Sequence, residues 1–144
     1  MNLGRRLDRL RTRRRTSLLL FLAVLVHNAE EGVAYPFSRP DAMQLAQLTW
    51  PAVQFPTVIE FQMALVLLTA AVGAVLAWAA NTRREPQGWL ALKLLASVFL
   101  ANVIVPHVPA AILLGGYAPG VITAVAINLP LSLWILKHRR EPSS

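Results

Sequence analysis

The pattern His-x-x-Glu-Glu, formed by His27, Glu30 and Glu31, places three ionisable side chains inside the apolar run at residues 17–37. In a helix, His27 lies about one turn from both glutamates, so the three side chains share one broad face. An acidic residue near the middle of a membrane-spanning helix costs about 2.5–3.5 kcal/mol on insertion scales, so such residues normally face a bundle interior and serve a function. The spacing therefore predicts a chemically active polar group within an apolar helix.

Imidazole and carboxylate groups in this arrangement suit several kinds of chemistry. They bind divalent ions such as iron, zinc or manganese. They also act as general acids and bases, and here Glu30 and Glu31, with His27 as partner, would act on an apolar or lipid-like substrate. In a carrier or channel the same groups would relay protons or ions. A structural membrane subunit would pair the cluster with a base, but the intramembrane base Lys93 lies at the opposite end of its span.

The elements that must position this group follow from the composition. The chain has 144 residues, of which 56% are hydrophobic, and no cysteine, which excludes disulfides and thiolate ligands. Its apolar residues come in blocks of about 18–20, the length of a helix that crosses the hydrocarbon layer. We predict an all-α polytopic membrane protein, a bundle of four transmembrane helices in one membrane domain at residues 17–137, with spans at about 17–37, 57–80, 88–109 and 121–136.

The distribution of charge sets the predicted orientation. The net charge is +7, and seven of the fourteen lysines and arginines lie in a basic arm at residues 1–16. With Lys93 counted on the inner side, four spans place thirteen of the fourteen on one side, so both termini, including the tail at 138–144, are predicted to be cytoplasmic. We expect a multi-pass protein of the cell membrane, a bacterial inner membrane, whose basic arm contacts lipid headgroups as a solvated anchor and binds no nucleic acid.

The segment at residues 38–56 is mixed in character. We predict a loop with a short interfacial helix at about 42–48, followed by Trp50 as a headgroup anchor. Prolines within or beside the spans should loosen the helices around the polar group, because each lacks a backbone donor and its ring clashes with the preceding turn. These prolines are Pro36, Pro106, Pro109 and Pro130.

Counting 1.5 Å per residue gives each polar residue a depth in the membrane. His27 lies about 15 Å from the inner start of its span, and Asn102 lies roughly 20 Å from the inner start of the third. The polar residues of the four spans therefore converge on the outer half of the bundle, although Asn128 is deeper. We predict a metal site or catalytic group of His27, Glu30, Glu31 and His107, in a pocket with Glu60, Asn102 and Thr123.

Several of these residues have simpler interpretations. His107, between Pro106 and Pro109, could use its ring to satisfy carbonyl groups that the prolines leave free. Glu60 could be an exposed acid at the water interface, and Asn128 could hold two helices together. The residues themselves leave these alternatives open, and they leave the oligomeric state open as well.

The order of the polar segments resembles one family of membrane proteins. The His-x-x-Glu-Glu pattern lies in the first hydrophobic segment, Asn102 precedes His107, and Pro119-Gly120 precedes Thr123. This order, over about residues 18–136, resembles the HXXEE-motif membrane proteins. The resemblance implies a small multispanning protein built around these histidines and glutamates, and the family is named for its motif rather than for a reaction. Glu60 and the basic arm are not part of it.

Overall fold

One long helix, α1, carries the His-x-x-Glu-Glu pattern near its middle and extends over Leu3–Thr49. The structure, a computed structural model, describes residues 3–49, 52 and 54–137, so Trp50 and the tail lie outside the described residues. These residues are largely helical and include no strand, as the sequence predicts. The further helices are α2 (Val58–Asn81), α3 (Glu85–Asn102), α4 (Val108–Leu113), α5 (Val121–Thr123) and α6 (Leu129–Lys137).

Within the described residues, three stretches of helix are long and apolar enough to cross a membrane. They cover Asp8–Gln44, Val58–Asn81 and Glu85–Leu113, and the apolar helix at Val121–Lys137 is shorter. Large apolar side chains cover their outer surfaces, as in Phe37, which is 81% exposed. A water-soluble protein rarely exposes so much contiguous apolar surface, so these helices indicate a membrane protein.

Helix α1 continues through Pro36 and Pro40, where the sequence predicts that the span ends and a loop follows. A proline cannot donate to the carbonyl four residues earlier, so Pro36 leaves the Gly32 carbonyl without its helical partner. The Gln62 side chain of α2 donates to that carbonyl at 3.0 Å. A neighbouring helix thus replaces the missing hydrogen bond, and the helix extends to Thr49 where a loop with a separate short helix was expected.

The apolar core lies between four helices, toward the basic end of the bundle. Leu20 of α1, Leu76 of α2, Leu92 of α3 and Ile135 of α6 belong to one buried cluster. Helix α5, the turn at 124–128 and α6 follow one another over residues 121–137, and we call them the α6 arm. Ile135 near the end of this arm lies level with the first half of α1, while Thr123 near its start lies beside His27. This arm is thus antiparallel to α1.

Arg13 closes the basic end of the bundle. Its Nη2 atom donates to the Thr82 carbonyl at 2.7 Å and to the Ala80 carbonyl at 3.3 Å, and the residue is 1% exposed. The last carbonyls of a helix have no helical donor, so a guanidinium group is a suitable partner for the end of α2. The interpretation of the basic arm at residues 1–16 as a solvated anchor is therefore wrong for Arg13, although Arg9 and Arg14 are exposed as expected.

Two π-turns interrupt the last helices. The first covers Val103–His107 between α3 and α4, and the second covers Ala124–Asn128 between α5 and α6. In each, the following backbone N–H donates to the carbonyl five residues earlier, which widens the helix by one residue. The first turn lies two residues before Pro109 and the second lies two residues before Pro130. The loosening predicted near these prolines therefore takes the form of π-turns, which place polar side chains toward α1.

Candidate functional site

Three potential metal ligands meet where α1 faces the first π-turn. They are His27, Glu31 and His107, and their ligand atoms all lie within 4.8 Å of one another. The Glu31 Oε1 atom is 3.4 Å from the Nε2 atom of His107 and 3.9 Å from that of His27. Both histidines are buried, and their rings meet edge to face with centroids 4.7 Å apart. We call these three residues the triad.

The proton on His107 is placed by the loop that precedes α5. Its Nδ1 atom lies 2.9 Å from the Pro119 carbonyl oxygen. A carbonyl oxygen only accepts hydrogen bonds, so Nδ1 carries the proton. The neutral ring therefore presents the lone pair of Nε2 to the triad.

The position of the proton on His27 follows from a longer chain of hydrogen bonds. The His27 Nδ1 atom lies 2.9 Å from the Thr123 hydroxyl oxygen, and that hydroxyl donates to the Glu30 carboxylate at 2.5 Å. Because a hydroxyl has one proton and Thr123 gives it to Glu30, its oxygen must accept from His27. His27 also presents the lone pair of Nε2, so two lone pairs and a carboxylate oxygen face one another in the triad.

Asn102 lies beside both histidines. Its amide nitrogen is 2.9 Å from the Nε2 atom of His107 and 3.3 Å from that of His27. An amide nitrogen is a donor with two protons, so it can satisfy both lone pairs at once. This pairing supports the assignment of both rings as acceptors at Nε2.

Glu30 faces away from the triad and binds the start of α5. Its oxygens accept from the backbone N–H groups of Ile122 and Thr123, at 3.3 and 2.8 Å, and from the Tyr117 hydroxyl at 2.9 Å. Burial and the hydrogen bond to Glu30 raise the pKa of Tyr117 to about 12. Glu30 is therefore placed to orient Thr123 and, through it, His27.

Gly120 packs against the centre of the site. Its φ of +78° is in the left-handed region that favours glycine, and its Cα faces the triad. A Cβ there would lie 2.7 Å from a Glu31 side-chain carbon and 2.8 and 2.9 Å from ring carbons of His107 and His27. Only a glycine allows the loop to approach the triad this closely.

Residues 18–135 match the model of a family described as a protein of unknown function with an HXXEE motif. The chain belongs to this family. No curated protein and no solved structure matches it. The family pattern begins at His27, and the structure shows that its first and last residues belong to the triad while its fourth, Glu30, supports the site from outside.

Asn28, the second residue of the HXXEE pattern, faces another helix. Its amide donates to the Thr69 hydroxyl of α2 at 2.6 Å, so it links α1 to α2. Glu60 does not join the site. Its carboxylate accepts from the Thr57 backbone and hydroxyl in a capping box at the start of α2, so it is an exposed capping residue rather than part of the predicted pocket.

Two site residues gave no separate signal in the sequence. Tyr117 lies in a stretch rich in glycine that predicts only a turn, and the Pro119 carbonyl is a backbone group, which no side-chain pattern reports. Among the polar residues that the depth count grouped, the structure brings together His27, Asn102, His107 and Thr123, with Glu30 and Glu31 on either side.

Apolar grooves lie along α1 on its α2 side and on its α6 side. On the α2 side, a groove of about 720 Å³ faces away from the triad, and another of about 340 Å³ lies nearer the basic end. On the α6 side, a groove of about 500 Å³ is lined by Leu22, Val26 and Pro130 among others. Leu22, Val26 and Glu30 follow one another at helical spacing, so the groove on the α6 side points along α1 toward Glu30, one turn beyond Val26. We call it the α1–α6 groove.

Proposed function

We propose that this chain is a membrane protein of four spanning helices, with both termini cytoplasmic, whose triad binds one divalent metal ion and acts on an apolar or lipid-like substrate. The α6 arm would be the fourth span, which puts the Arg13 end of the bundle and the end of α6 on the same side. The strong bias of basic residues toward that side supports the orientation.

The observation that carries the metal proposal is the convergence of acceptors in the triad. Two Nε2 lone pairs and a carboxylate oxygen face one another, and such a group is stabilised by a cation between them. Two histidines and one carboxylate on one side of an ion are the ligands of non-haem iron sites and of some zinc sites. Ligand bonds of about 2.0–2.2 Å separate the ligand atoms by about 3–3.5 Å, and one separation in the triad is already 3.4 Å.

The hydrogen bonds around the triad also fit a metal site. Metal-binding histidines usually donate their other ring N–H to a carbonyl or carboxylate, which fixes the ring. His107 donates to the Pro119 carbonyl, and His27 reaches the Glu30 carboxylate through Thr123. A bound ion would supply Lewis acidity, or redox chemistry if it is iron, and Asn102 would turn its amide nitrogen away from it.

The α1–α6 groove supports the substrate class. It is lined by apolar side chains and opens toward the lipid-facing surface, and its lining residue Val26 lies one turn of α1 before Glu30. An apolar chain could lie there with its polar end near Glu30 and Thr123. The larger groove on the α1–α2 side is less suitable because α1 itself separates it from the triad.

Elemental analysis of the detergent-purified full-length protein tests the proposal. We expect about one iron, zinc or manganese ion per chain in the wild type after incubation with each metal. His27→Ala, Glu31→Gln and His107→Ala should lose it, whereas Glu60→Gln should retain it because Glu60 is apart from the site. A folded wild type that binds none of the three metals would refute the metal proposal.

A second candidate function is a proton relay in a carrier or channel. The hydrogen-bonded chain from Tyr117 through Glu30 and Thr123 to His27 favours it, because protons can move along such a chain. Proteoliposomes loaded with a pH indicator distinguish the two functions. A relay should carry a proton flux that needs no metal and that Glu30→Gln abolishes. A metal enzyme need not carry any proton flux.

A further inference from the structure

The two π-turns share a pattern of polar residues. Asn102 precedes the first turn and His107 ends it, and Thr123 precedes the second turn and Asn128 ends it. A proline follows each turn after one intervening residue. Three of these four polar side chains belong to the site: Asn102 contacts His107, and Asn102 and Thr123 both contact His27. Asn128 has the same position in the second turn that His107 has in the first.

Asn128 is buried and has no partner among the described residues. It is 1% exposed, and neither its Nδ2 nor its Oδ1 atom makes a hydrogen bond. Ser132, one turn further along α6, is 0% exposed and its hydroxyl is also unpaired. Buried polar groups in proteins nearly always have a protein or water partner. Two adjacent exceptions on one face of the α6 arm therefore indicate that another molecule satisfies them.

These two side chains lie directly inward of the site. Thr123, Asn128 and Ser132 are separated by one turn each, so they share a face of the α6 arm. Thr123 contacts His27, and the second π-turn contacts α1, α3 and the first π-turn, which carry the other site residues. On the same face, Ile135 comes next and packs in the core cluster with Leu20.

We propose that Asn128 and Ser132 hold internal water that supplies the site. A water molecule needs two to four polar partners, and an amide and a hydroxyl one turn apart provide them. The apolar layer around Ile135 closes the inner end, so the water would exchange through the site and not through the whole bundle. The purpose assigned to this water rests on the proposed metal function, since a catalytic ion keeps a position open for water.

The absence of cysteine in the chain allows a direct test. A thiol reacts rapidly with hydroxyl radicals, and brief X-ray irradiation produces these radicals from water beside it. Ser132→Cys places a thiol at the proposed water site with almost no change in shape. Ala96→Cys is the matched control, because Ala96 is also 0% exposed but belongs to the apolar core cluster.

Both variants would be irradiated as full-length, metal-free protein in detergent, and oxidation of the thiol would be measured by mass spectrometry. We expect the Ser132→Cys thiol to oxidise at least tenfold faster than the Ala96→Cys thiol. Adding Asn128→Leu should remove most of that difference, and circular dichroism would check that each variant is folded. Equal rates in the two single variants would overturn the proposal. Because no metal is present, this result is independent of the metal analysis.

Discussion

Replacing Gly120 with alanine adds one methyl group at the centre of the site. The left-handed conformation costs a residue with a Cβ at least about 1 kcal/mol, because the Cβ comes too close to the following carbonyl oxygen. The new Cβ would lie 2.7 Å from Glu31 and under 3.0 Å from both His27 and His107, so all three must move. Such overpacking costs about 1–3 kcal/mol. We therefore expect Gly120→Ala to lower the free energy of unfolding by about 2–4 kcal/mol and to weaken metal binding.

Gly115→Ala is the matched control for this experiment. Gly115 also has a positive φ, of +65°, but a Cβ there would meet nothing within 4 Å. Gly115→Ala should therefore lower the free energy of unfolding by only about 1 kcal/mol, which is the cost of the left-handed backbone without the overpacking. The assay is unfolding in mixed detergent micelles together with the metal content of both variants. If Gly120→Ala unfolds like Gly115→Ala and keeps its metal, the described approach of the loop to the triad is incorrect.

Three further predictions follow from other contacts. Arg13→Ala should destabilise the fold by about 2–4 kcal/mol, because it leaves the buried Ala80 carbonyl and the half-buried Thr82 carbonyl at the end of α2 without donors. The matched control is Arg14→Ala, which should cost under about 1 kcal/mol in the same unfolding assay because Arg14 is exposed. The pKa of Tyr117 is raised to about 12, so the stability that Tyr117 contributes is full below pH 10 and is lost as the pH rises through about 12. Ultraviolet titration in a Tyr35→Phe background should show this ionisation. Glu30→Gln should lower the pKa of Tyr117 toward 10. Metal content after dialysis should fall as the pH drops from about 7 to 5, because protons compete for the histidine lone pairs; constant metal content over this range would exclude histidine ligands.

The sequence was most informative about the residues that a membrane penalises. His27, Asn102, His107 and Thr123 are each costly in an apolar helix, so their depths alone were enough to group them. Their contacts agree with that grouping. Depth also groups Glu60 with them, but a residue near a helix start can cap that helix instead, and depth does not distinguish the two roles.

Other features depend on partners that are distant in the chain. The sequence shows that Pro36 removes a donor, but not that Gln62 replaces it, so the length of α1 could not be predicted. A run of arginines predicts where the membrane surface lies, but it does not show which arginine donates hydrogen bonds to the carbonyls at the end of α2. The separate roles of Glu30 and Glu31 arise in the same way, because adjacent residues on a helix point about 100° apart and meet different neighbours.

Helix α1 has 47 residues and is therefore about 70 Å long, more than the full thickness of a bilayer with its headgroups. It is fixed at three levels, by Arg13 to the end of α2, by Glu30 to the start of α5, and by Tyr35 and Arg39 to the Pro56 carbonyl. A rotation of α1 by one residue would break all three sets of contacts together. The alignment of the triad thus depends on contacts about 21 Å from His27 at the Arg13 end of α1 and about 12–18 Å from it at the other end. A ligand or lipid that displaced either end of α1 would change the site without touching it.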